Sequence, residues 1–264
     1  MEPKDAATVM LVRDAAAGME VFMLRRNLAS VGWSGLHLFP GGAVDEEDRH
    51  ADLEHVCRGR SEEQASAILG VDSGGLAFWV AAVRECFEEA GVLLACDAEG
   101  HVISFADDAT SARFEKHRAA VDTGERRLLD VCRAEGLTIN AGAMHYFSHW
   151  ITPVGAPRRY DTRFFVAAAP PEQVPLHDDR EAIAQLWVRP GDALSRHAAG
   201  ELEMIPPTVE NLKGIARFDR TADLLAAAAA IAEVPTILPR LADDSVTGVR
   251  ILLPGDDGYD ECLS

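Results

Sequence analysis

The chain has 264 residues, and 43 Asp plus Glu against 25 Lys plus Arg give it a net charge of -18. Such a surface repels phosphate backbones, which argues against a general DNA- or RNA-coating protein. Hydrophobic residues at 48% and charged residues at 26% are typical of a folded chain and exclude a disordered one.

The sequence predicts no segment that would direct the chain to a membrane or to secretion. No apolar run reaches the roughly 20 residues that cross a bilayer, so no membrane partner is expected. The first ten residues carry acids and no apolar h-region, which predicts no secretory signal. The five cysteines form no C-x-x-C pair, which favours reduced thiols and a cytoplasmic location.

The N-terminal part predicts a β-hairpin followed by a tight turn. Residues 8–12 and 20–24 are strand-like, and residues 14–18 are typical of the turn between them. A glycine-rich stretch then ends in Phe-Pro-Gly-Gly at positions 39–42. Proline cannot donate to a sheet ladder and glycine permits positive φ, so this motif predicts a sharp turn of the backbone.

Two helices are expected next. Residues 45–72 are polar and helix-prone, and Ser61 followed by Gln64 forms a capping-box pattern. A second helix is predicted to start near residues 72–73 and to end at Gly91, a good C-terminal stop. Its apolar stripe at i, i+4 spacing predicts a core-facing side and consists of Phe78, Ala82, Cys86 and Ala90.

The rest of the chain predicts alternating strands and helices. A short strand at residues 92–95 precedes a second helical insertion at about 97–142, with helices near 112–121 and 126–134. No internal repeat or flexible linker divides the chain, so a single domain spanning 1–264 is expected. Further strands are predicted at 145–152, 162–168 and 185–188, helices near 192–199, 208–216 and 222–233, and a hairpin-like tail over about 236–264, with its turn at 243–245.

The segment with the most chemical information is Arg-Glu-Cys-Phe-Glu-Glu-Ala-Gly-Val at 84–92. On a helix, Glu85, Glu88 and Glu89 project from one face, and three clustered carboxylates repel one another unless a cation joins them. Mg2+ or Mn2+ prefers such oxygen ligands. An exposed acidic helix face with i, i+4 ion pairs, such as Arg84 with Glu88, is the alternative. The apolar opposite face and the preceding Phe-Pro-Gly-Gly turn favour the metal site.

These residues resemble the second half of the Nudix box, G-x5-E-x7-R-E-U-x-E-E-x-G-U, in which U is a bulky aliphatic residue. The Phe-Pro-Gly-Gly turn is similar to the start of that box. Asp48 stands where the box has Glu, and Cys86 replaces the aliphatic residue. Residues 49–83 occupy the place of seven in the family pattern, so the sequence carries an insertion of 28 residues, placed at about 49–75.

A box interrupted in this way is similar to the NUDT19-like branch of the Nudix hydrolases, which resembles acyl-CoA diphosphatases. The segment at 158–165 resembles a strand of that branch, and the likeness spans about residues 8–216. The coenzyme A signature of the wider family is matched in part. Arg26 and Gly35 fit it, whereas Asn27 and Val31 depart from it.

The resemblance implies a fold and an activity. The expected fold is α/β, a Nudix-like α/β/α sandwich with a mixed β-sheet and extra helical insertions. The expected activity is metal-dependent hydrolysis of a nucleoside diphosphate linked to another group, with CoA or acyl-CoA giving 3',5'-ADP and (acyl-)phosphopantetheine. An ADP-ribose, NADH or other dinucleotide pyrophosphatase is the alternative. A non-catalytic nucleotide-binding regulatory module is a further alternative, although all three glutamates are present. Related enzymes often form homodimers.

The resemblance also assigns site residues. The metal ligands are expected to be Glu85, Glu88 and Glu89, with Asp48 as a secondary contact. Arg84 would orient this cluster. The general base is expected from the acids Asp178, Asp179 and Glu181, with Glu181 preferred, although these acids also fit a solvated loop tip.

Substrate contacts are expected from the turn and from arginines, which bind phosphates through charge-assisted hydrogen bonds. An ion pair with Asp161 explains Arg163 about as well, because alternate residues of a strand share a face. The predicted substrate-binding residues are Arg26, Gly41, Gly42, Arg158, Arg159 and Arg163.

Overall fold

The N-terminal hairpin forms the centre of the main sheet. The computed structural model describes residues 1–26, 35–173, 182–244 and 248–262. The hairpin predicted from the sequence is confirmed, and its strands are longer than expected, with Ala15 opposite Gly18 at the turn. In chain order, the strands are β1 (Lys4–Ala15), β2 (Gly18–Arg26), β3 (His37–Leu38), β4 (Gly41–Ala43), β5 (Ala95–Cys96), β6 (Thr138–Ile139), β7 (His145–Ile151), β8 (Tyr160–Ala168), β9 (Ala182–Val188), β10 (Thr236–Ile237), β11 (Arg240–Asp244) and β12 (Gly248–Leu252).

The main sheet is mixed. Its strands follow the order β10-β7-β8-β1-β2-β3, with β4 paired to β1 and β9 paired to β2. The β1–β8 and β10–β7 pairs are parallel, and the other pairs are antiparallel. Two small sheets, β5–β6 and β11–β12, lie apart from it.

Helices cover both faces of this sheet. In β1, Val9 and Leu11 enter one buried core, and Met10 and Val12 enter the other, because successive side chains of a strand point to opposite faces. The fold expected from the sequence, an α/β/α sandwich with a mixed sheet, is therefore confirmed. In chain order, the helices are α1 (Glu62–Leu69), α2 (Leu76–Ala90), α3 (Asp108–Asp122), α4 (Leu128–Glu135), α5 (Pro190–Ala198), α6 (Pro206–Ile215) and α7 (Thr221–Ala229), with 3-10 turns at Glu46–Arg49, Ala51–Val56 and Ala141–Ala143.

Helix α2 starts later than the sequence predicts and ends where it predicts. Gly74 has a φ of 80°, which ends any helical path from residues 72–73, so α2 begins at Leu76. At the other end Gly91 adopts the left-handed conformation with a φ of 68°. Its N–H bonds the Phe87 carbonyl, and the next N–H bonds the Cys86 carbonyl. The bond from Gly91 to Phe87 is that of the αL motif, which fixes the last turn.

The N-terminus of α2 is capped by the segment inserted before it. The carboxylate of Glu62 accepts hydrogen bonds from the backbone N–H groups of Gly74, Gly75 and Leu76 and from the Ser66 hydroxyl. Glu62 itself lies in the first turn of α1, whose capping box of Ser61 and Gln64 is confirmed. These bonds join α1 to α2. The negative charge of the carboxylate is also favourable at the N-terminus of α2.

We expect Glu62→Gln to lower the free energy of unfolding by about 1.5–3 kcal/mol at pH 7, the range for hydrogen bonds to a charged group. Burial raises the pKa of Glu62, but the bonds from Ser66 and the backbone outweigh it and hold the pKa below its ordinary value of 4.5. The stabilisation is therefore present above about pH 4.5 and is lost as the pH falls through the folded-state pKa.

Urea unfolding of both forms at pH 7 and pH 3.5 measures this effect. The exposed neighbour Glu63 provides the control, since it lies in the same first turn of α1 and Glu63→Gln should cost at most about 1 kcal/mol at pH 7. Equal losses for the two variants at pH 7 would contradict the capping role of Glu62.

Other predicted elements need correction. The strand expected at residues 92–95 is reduced to Ala95–Cys96, because the N–H of Val92 closes the helix end and that of Leu93 bonds the Gln173 side chain. The last helix ends at Ala229 rather than near residue 233.

The tail is only partly a separate hairpin. Strands β11 and β12 pair as predicted, but the expected turn begins later, because residues 243 and 244 still belong to β11. Residues 236 and 237 instead add β10 to the edge of the main sheet beside β7. Within the described part of the chain, no helix is long and apolar enough to cross a membrane.

Candidate functional site

The three glutamates of α2 lie in its last two turns, beside the Phe-Pro-Gly-Gly turn. The sharp turn predicted for this motif is reduced to a bend at Pro40, because Gly41 and Gly42 lie in β4, which pairs with β1, and neither has a positive φ. The backbone N–H of Gly41 donates to Glu89 Oε2 at 2.9 Å. A side chain at Gly42 would meet the Glu85 carboxylate, because a Cβ there would lie 2.5 Å from Glu85 Cδ. The two halves of the motif, far apart in sequence, therefore meet in one site.

Arg84 is the centre of the charged network in this site. Its Nε and Nη2 donate to both carboxylate oxygens of Asp48 at 2.9–3.2 Å. Its Nη1 donates to Glu85 Oε1 at 2.9 Å and to Glu88 Oε2 at 3.0 Å. Nη2 also bonds the carbonyl oxygen of Ala43 at 2.8 Å. One guanidinium therefore links the turn, the segment around Asp48 and two of the three glutamates.

Asp48 has a different environment from the one that the sequence suggests. It is 3% exposed, and both of its oxygens accept hydrogen bonds from Arg84. Burial raises the pKa of Asp48, and the hydrogen bonds and charge of Arg84 oppose that rise. Both oxygens of Asp48 are thus engaged by Arg84, and its predicted secondary contact to a metal ion stays a prediction. The pair forms even though residues 49–83 separate the partners, so the insertion leaves this contact intact.

The acidity of Glu88 is strongly altered by its surroundings. Burial, with the charges of Glu85 and Asp48 adding to it, raises the pKa of Glu88 to about 8, although Arg84 works in the opposite direction. The same carboxylates raise the pKa of Arg84 against the effect of burial, so it stays protonated. A carboxyl group that resists ionisation in this way gains from a nearby cation.

The donor set fits a hard divalent cation in its chemistry, because it offers carboxylate oxygens from three residues within two helical turns. In the ranges that the structure describes, however, no three His, Cys, Asp or Glu side chains converge to hold a metal ion. Arg84 holds Glu85 and Glu88, and Gly41 holds Glu89. The charges that a cation would balance are thus present, but Arg84 and a backbone amide engage them.

A cleft of about 480 Å³ opens beside Arg84 and Glu88. One wall is the acidic segment at residues 45–47, and the other is the turn between α3 and α4, residues 121–128. The sequence does not predict this second wall, because no residue spacing shows that the segment beyond α2 folds back to the cleft. The turn brings two arginines, Arg126 and Arg127, to the cleft.

The predicted arginines lie outside this cluster. Arg163 is 5% exposed and makes the predicted ion pair with Asp161, and it also bonds His149. Arg159 donates to the carbonyl oxygens of Thr152 and Met1, and Arg158 is exposed in the same turn between β7 and β8. These contacts explain Arg163 and Arg159 structurally, and none of them reaches the glutamates.

Other predicted site residues lie wholly or partly outside what the structure describes. Arg26 ends β2, and its backbone pairs with Ala182, but its side chain is not among the described groups. The base candidates Asp178, Asp179 and Glu181 lie outside the described residues.

Comparison with known proteins identifies this arrangement. The family model of the NUDT19 Nudix domain matches residues 61–215, more than half of the chain. The acyl-coenzyme A diphosphatase NUDT19 of Gallus gallus is 28% identical over 306 residues, covering 98% of this chain and 80% of the relative. The protein of the same name from Homo sapiens is 28% identical, covering 92% of this chain and 73% of the relative.

A solved structure supports the same family. The crystal structure of a NUDIX hydrolase from Alicyclobacillus acidocaldarius superposes with a TM-score of 0.71 at 27% identity, covering 86% of this chain and 96% of that one. Nudix hydrolases generally use divalent metal ions, in agreement with the carboxylate cluster of α2. The chain belongs to the NUDT19 Nudix domain family and is a Nudix hydrolase.

Proposed function

We propose that this protein hydrolyses the diphosphate bond of CoA or acyl-CoA, with Mg2+ or Mn2+, giving 3',5'-ADP and (acyl-)phosphopantetheine. The observation that carries the reaction type is the contact between Glu89 of α2 and the Gly41 N–H, which joins both halves of the motif into one carboxylate site. The names of the two relatives, both acyl-coenzyme A diphosphatases, support the substrate.

Each residue of the cluster has a proposed role. Glu88 and Glu89 are the principal metal ligands, and Glu85 is a further ligand or positions the attacking water. Arg84 orients Glu85 and Glu88 through its Nη1. When bound, a divalent ion supplies Lewis-acid stabilisation of the phosphate charge and activates a water molecule. The charge of such an ion would offset that of the glutamates, and a diphosphate could then approach a chain of net charge -18.

The general base and the arginine contacts are also proposals. We propose Glu181 as the base, with Asp178 and Asp179 as alternatives, and Arg26 and Arg158 as contacts to substrate phosphates. The test compares Glu181→Gln, Asp178→Asn and Asp179→Asn with the preferred substrate. Loss of the acidic limb of the kcat pH profile, the fall in kcat at low pH, identifies the base, and three unchanged profiles would exclude all of these acids.

A substrate panel tests the proposed function. We expect acyl-CoA or CoA to give the highest kcat/KM among acyl-CoA, CoA, ADP-ribose, NADH and diadenosine polyphosphates. Mass spectrometry of the products shows which bond is cut. A preference for ADP-ribose or NADH would contradict the substrate while leaving the Nudix reaction in place, because contacts to phosphates alone do not separate these compounds.

The two glycines of the turn give a matched pair of variants. In Gly42→Ala the new Cβ displaces only the end of the Glu85 side chain, so kcat should fall about tenfold or more with little loss of stability. In Gly41→Ala the Cβ would lie 2.5 Å from the Ala7 carbonyl oxygen, so we expect a loss of about 1–3 kcal/mol in stability.

Thermal unfolding and steady-state kinetics of both variants separate the two effects. Gly191 has no atom within 4 Å of a built Cβ, so Gly191→Ala is the neutral control. Full activity of Gly42→Ala would show that the position of Glu85 is unimportant for the reaction.

We also propose a cytoplasmic location and a homodimer. All five cysteines are free thiols, which supports a reducing compartment. Cell fractionation tests the location, and light scattering at several protein concentrations tests the dimer. A secreted protein or a monomer at high concentration would contradict these proposals.

A further inference from the structure

The last turn of α2 has backbone carbonyls that its own helix cannot satisfy. A helix leaves its last four C=O groups without partners inside the helix. The αL motif at Gly91 takes the carbonyl of Phe87, and the N–H of Val92 takes that of Cys86. The carbonyls of Glu88 and Glu89, the two proposed principal ligands, are left over by that motif.

Arg118 of helix α3 takes these two carbonyls. Its Nε donates to the Glu88 carbonyl oxygen at 2.8 Å, and its Nη2 donates to that of Glu89 at 2.9 Å. The guanidinium also lies over Gly91, where a Cβ would come within 3.1 Å of Nη1. A cation at the C-terminal end of a helix is favourable, because the helix dipole is negative there.

Helix α3 is well placed to hold Arg118 still. Phe114 and Val121 are buried in the core beneath α2, and with Arg118 they share one helical face at i, i+4 and i+7. Phe114 stacks on Phe105 with ring centroids 4.7 Å apart, and the Asp107 side chain caps the helix start. The guanidinium is therefore presented from a fixed element.

We infer that Arg118 is a positioning residue, which fixes the last turn of α2 and thereby the backbone from which Glu88 and Glu89 reach a divalent ion. This inference rests on the proposed metal-dependent function. Helix ends fray readily, and the position of a side-chain ligand follows its backbone. The inserted segment between β5 and β6 thus contributes to the site through a residue that touches neither metal nor substrate.

The test measures Mn2+ binding directly, by electron paramagnetic resonance of free Mn2+, in the full chain. Arg118→Ala should weaken Mn2+ binding about tenfold or more and lower kcat by about 10–100-fold, with KM for the substrate unchanged. Arg118→Lys should be intermediate, because one ammonium cannot bridge two carbonyls as a planar guanidinium does. Exchange of the Gly91 and Val92 amides should accelerate in the same order.

Arg113 supplies the control on the same helix. Its side chain is 48% exposed and pairs with Glu135, so Arg113→Ala should leave Mn2+ binding unchanged. If Arg118→Ala folds and binds Mn2+ like the wild type, the inference is overturned even if its melting temperature falls. If Arg118→Ala does not fold, Arg118→Lys decides. The inference is overturned if Arg118→Lys binds Mn2+ as tightly as the wild type and its Gly91 and Val92 amides exchange at the wild-type rate.

Failure of the proposed function gives a different result. In that case, the wild-type chain binds Mn2+ no better than Glu89→Gln. The positioning role alone is rejected if two results are found together. The wild type binds Mn2+ more tightly than Glu89→Gln, and Arg118→Ala binds Mn2+ as tightly as the wild type.

Discussion

Replacing Glu88 or Glu89 with Gln is expected to lower kcat for CoA or acyl-CoA at least about 100-fold at saturating Mg2+. An amide is a weaker ligand for a hard cation than a carboxylate, and changes to residues outside the ligand shell already cost about 10–100-fold. In Glu89→Gln the new amide oxygen can still accept the Gly41 N–H, so the fold should be retained. Steady-state kinetics at several Mg2+ concentrations measures the loss.

A matched control comes from the surface of α3. Glu115 is exposed there, and Glu115→Gln removes one negative charge without touching the cluster. Its kcat should equal that of the wild type. Intact turnover in both Glu88→Gln and Glu89→Gln would mean that the metal assignment is wrong, and an equal loss in Glu115→Gln would point to overall charge instead.

Arg84→Ala is expected to destabilise the fold by about 3–5 kcal/mol, the cost of removing one partner from a buried ion pair. The variant leaves the carboxylate of Asp48, only 3% exposed, without the guanidinium that binds both its oxygens. It also removes the Nη1 group that donates to both Glu85 and Glu88, so their negative charges are left without this shared donor. Urea unfolding measures the change in the free energy of unfolding.

A double-mutant cycle separates the Asp48 contact from the others. Because Asp48 and Arg84 touch, the losses in Asp48→Asn and Arg84→Ala should not add, with a coupling energy of about 0.5–3 kcal/mol. Arg84→Lys should recover only part of the stability, since an ammonium cannot bind a carboxylate as a planar fork does. Additive losses, or a loss below about 1 kcal/mol in Arg84→Ala, would contradict the central position of Arg84.

Local features of the site could be predicted from the sequence. The capping box at Ser61 and the helix stop at Gly91 depend on neighbouring residues, and both are confirmed. The face shared by Glu85, Glu88 and Glu89 follows from helical periodicity alone. The α/β/α sandwich came from the family resemblance, not from the periodicity.

Long-range contacts could not be predicted, because they depend on where the inserted segments return. The bonds that Glu62 accepts from the start of α2, and those that Arg118 donates to its end, join residues with no spacing signal between them. The edge strand β10 is another example, since two residues carry no periodicity and their place is set by β7. Arg159 shows the same limit, because the binding of its side chain to backbone carbonyls leaves no pattern in the sequence.

The most direct test of the carboxylate site is a Mn2+ titration of the wild type against a variant in which Glu85, Glu88 and Glu89 are all replaced by Gln. The wild type should bind Mn2+ and the variant should not, while both keep the same far-ultraviolet circular dichroism. Equal Mn2+ binding by the two folded chains would contradict the claim that the glutamates of α2 hold the metal ion.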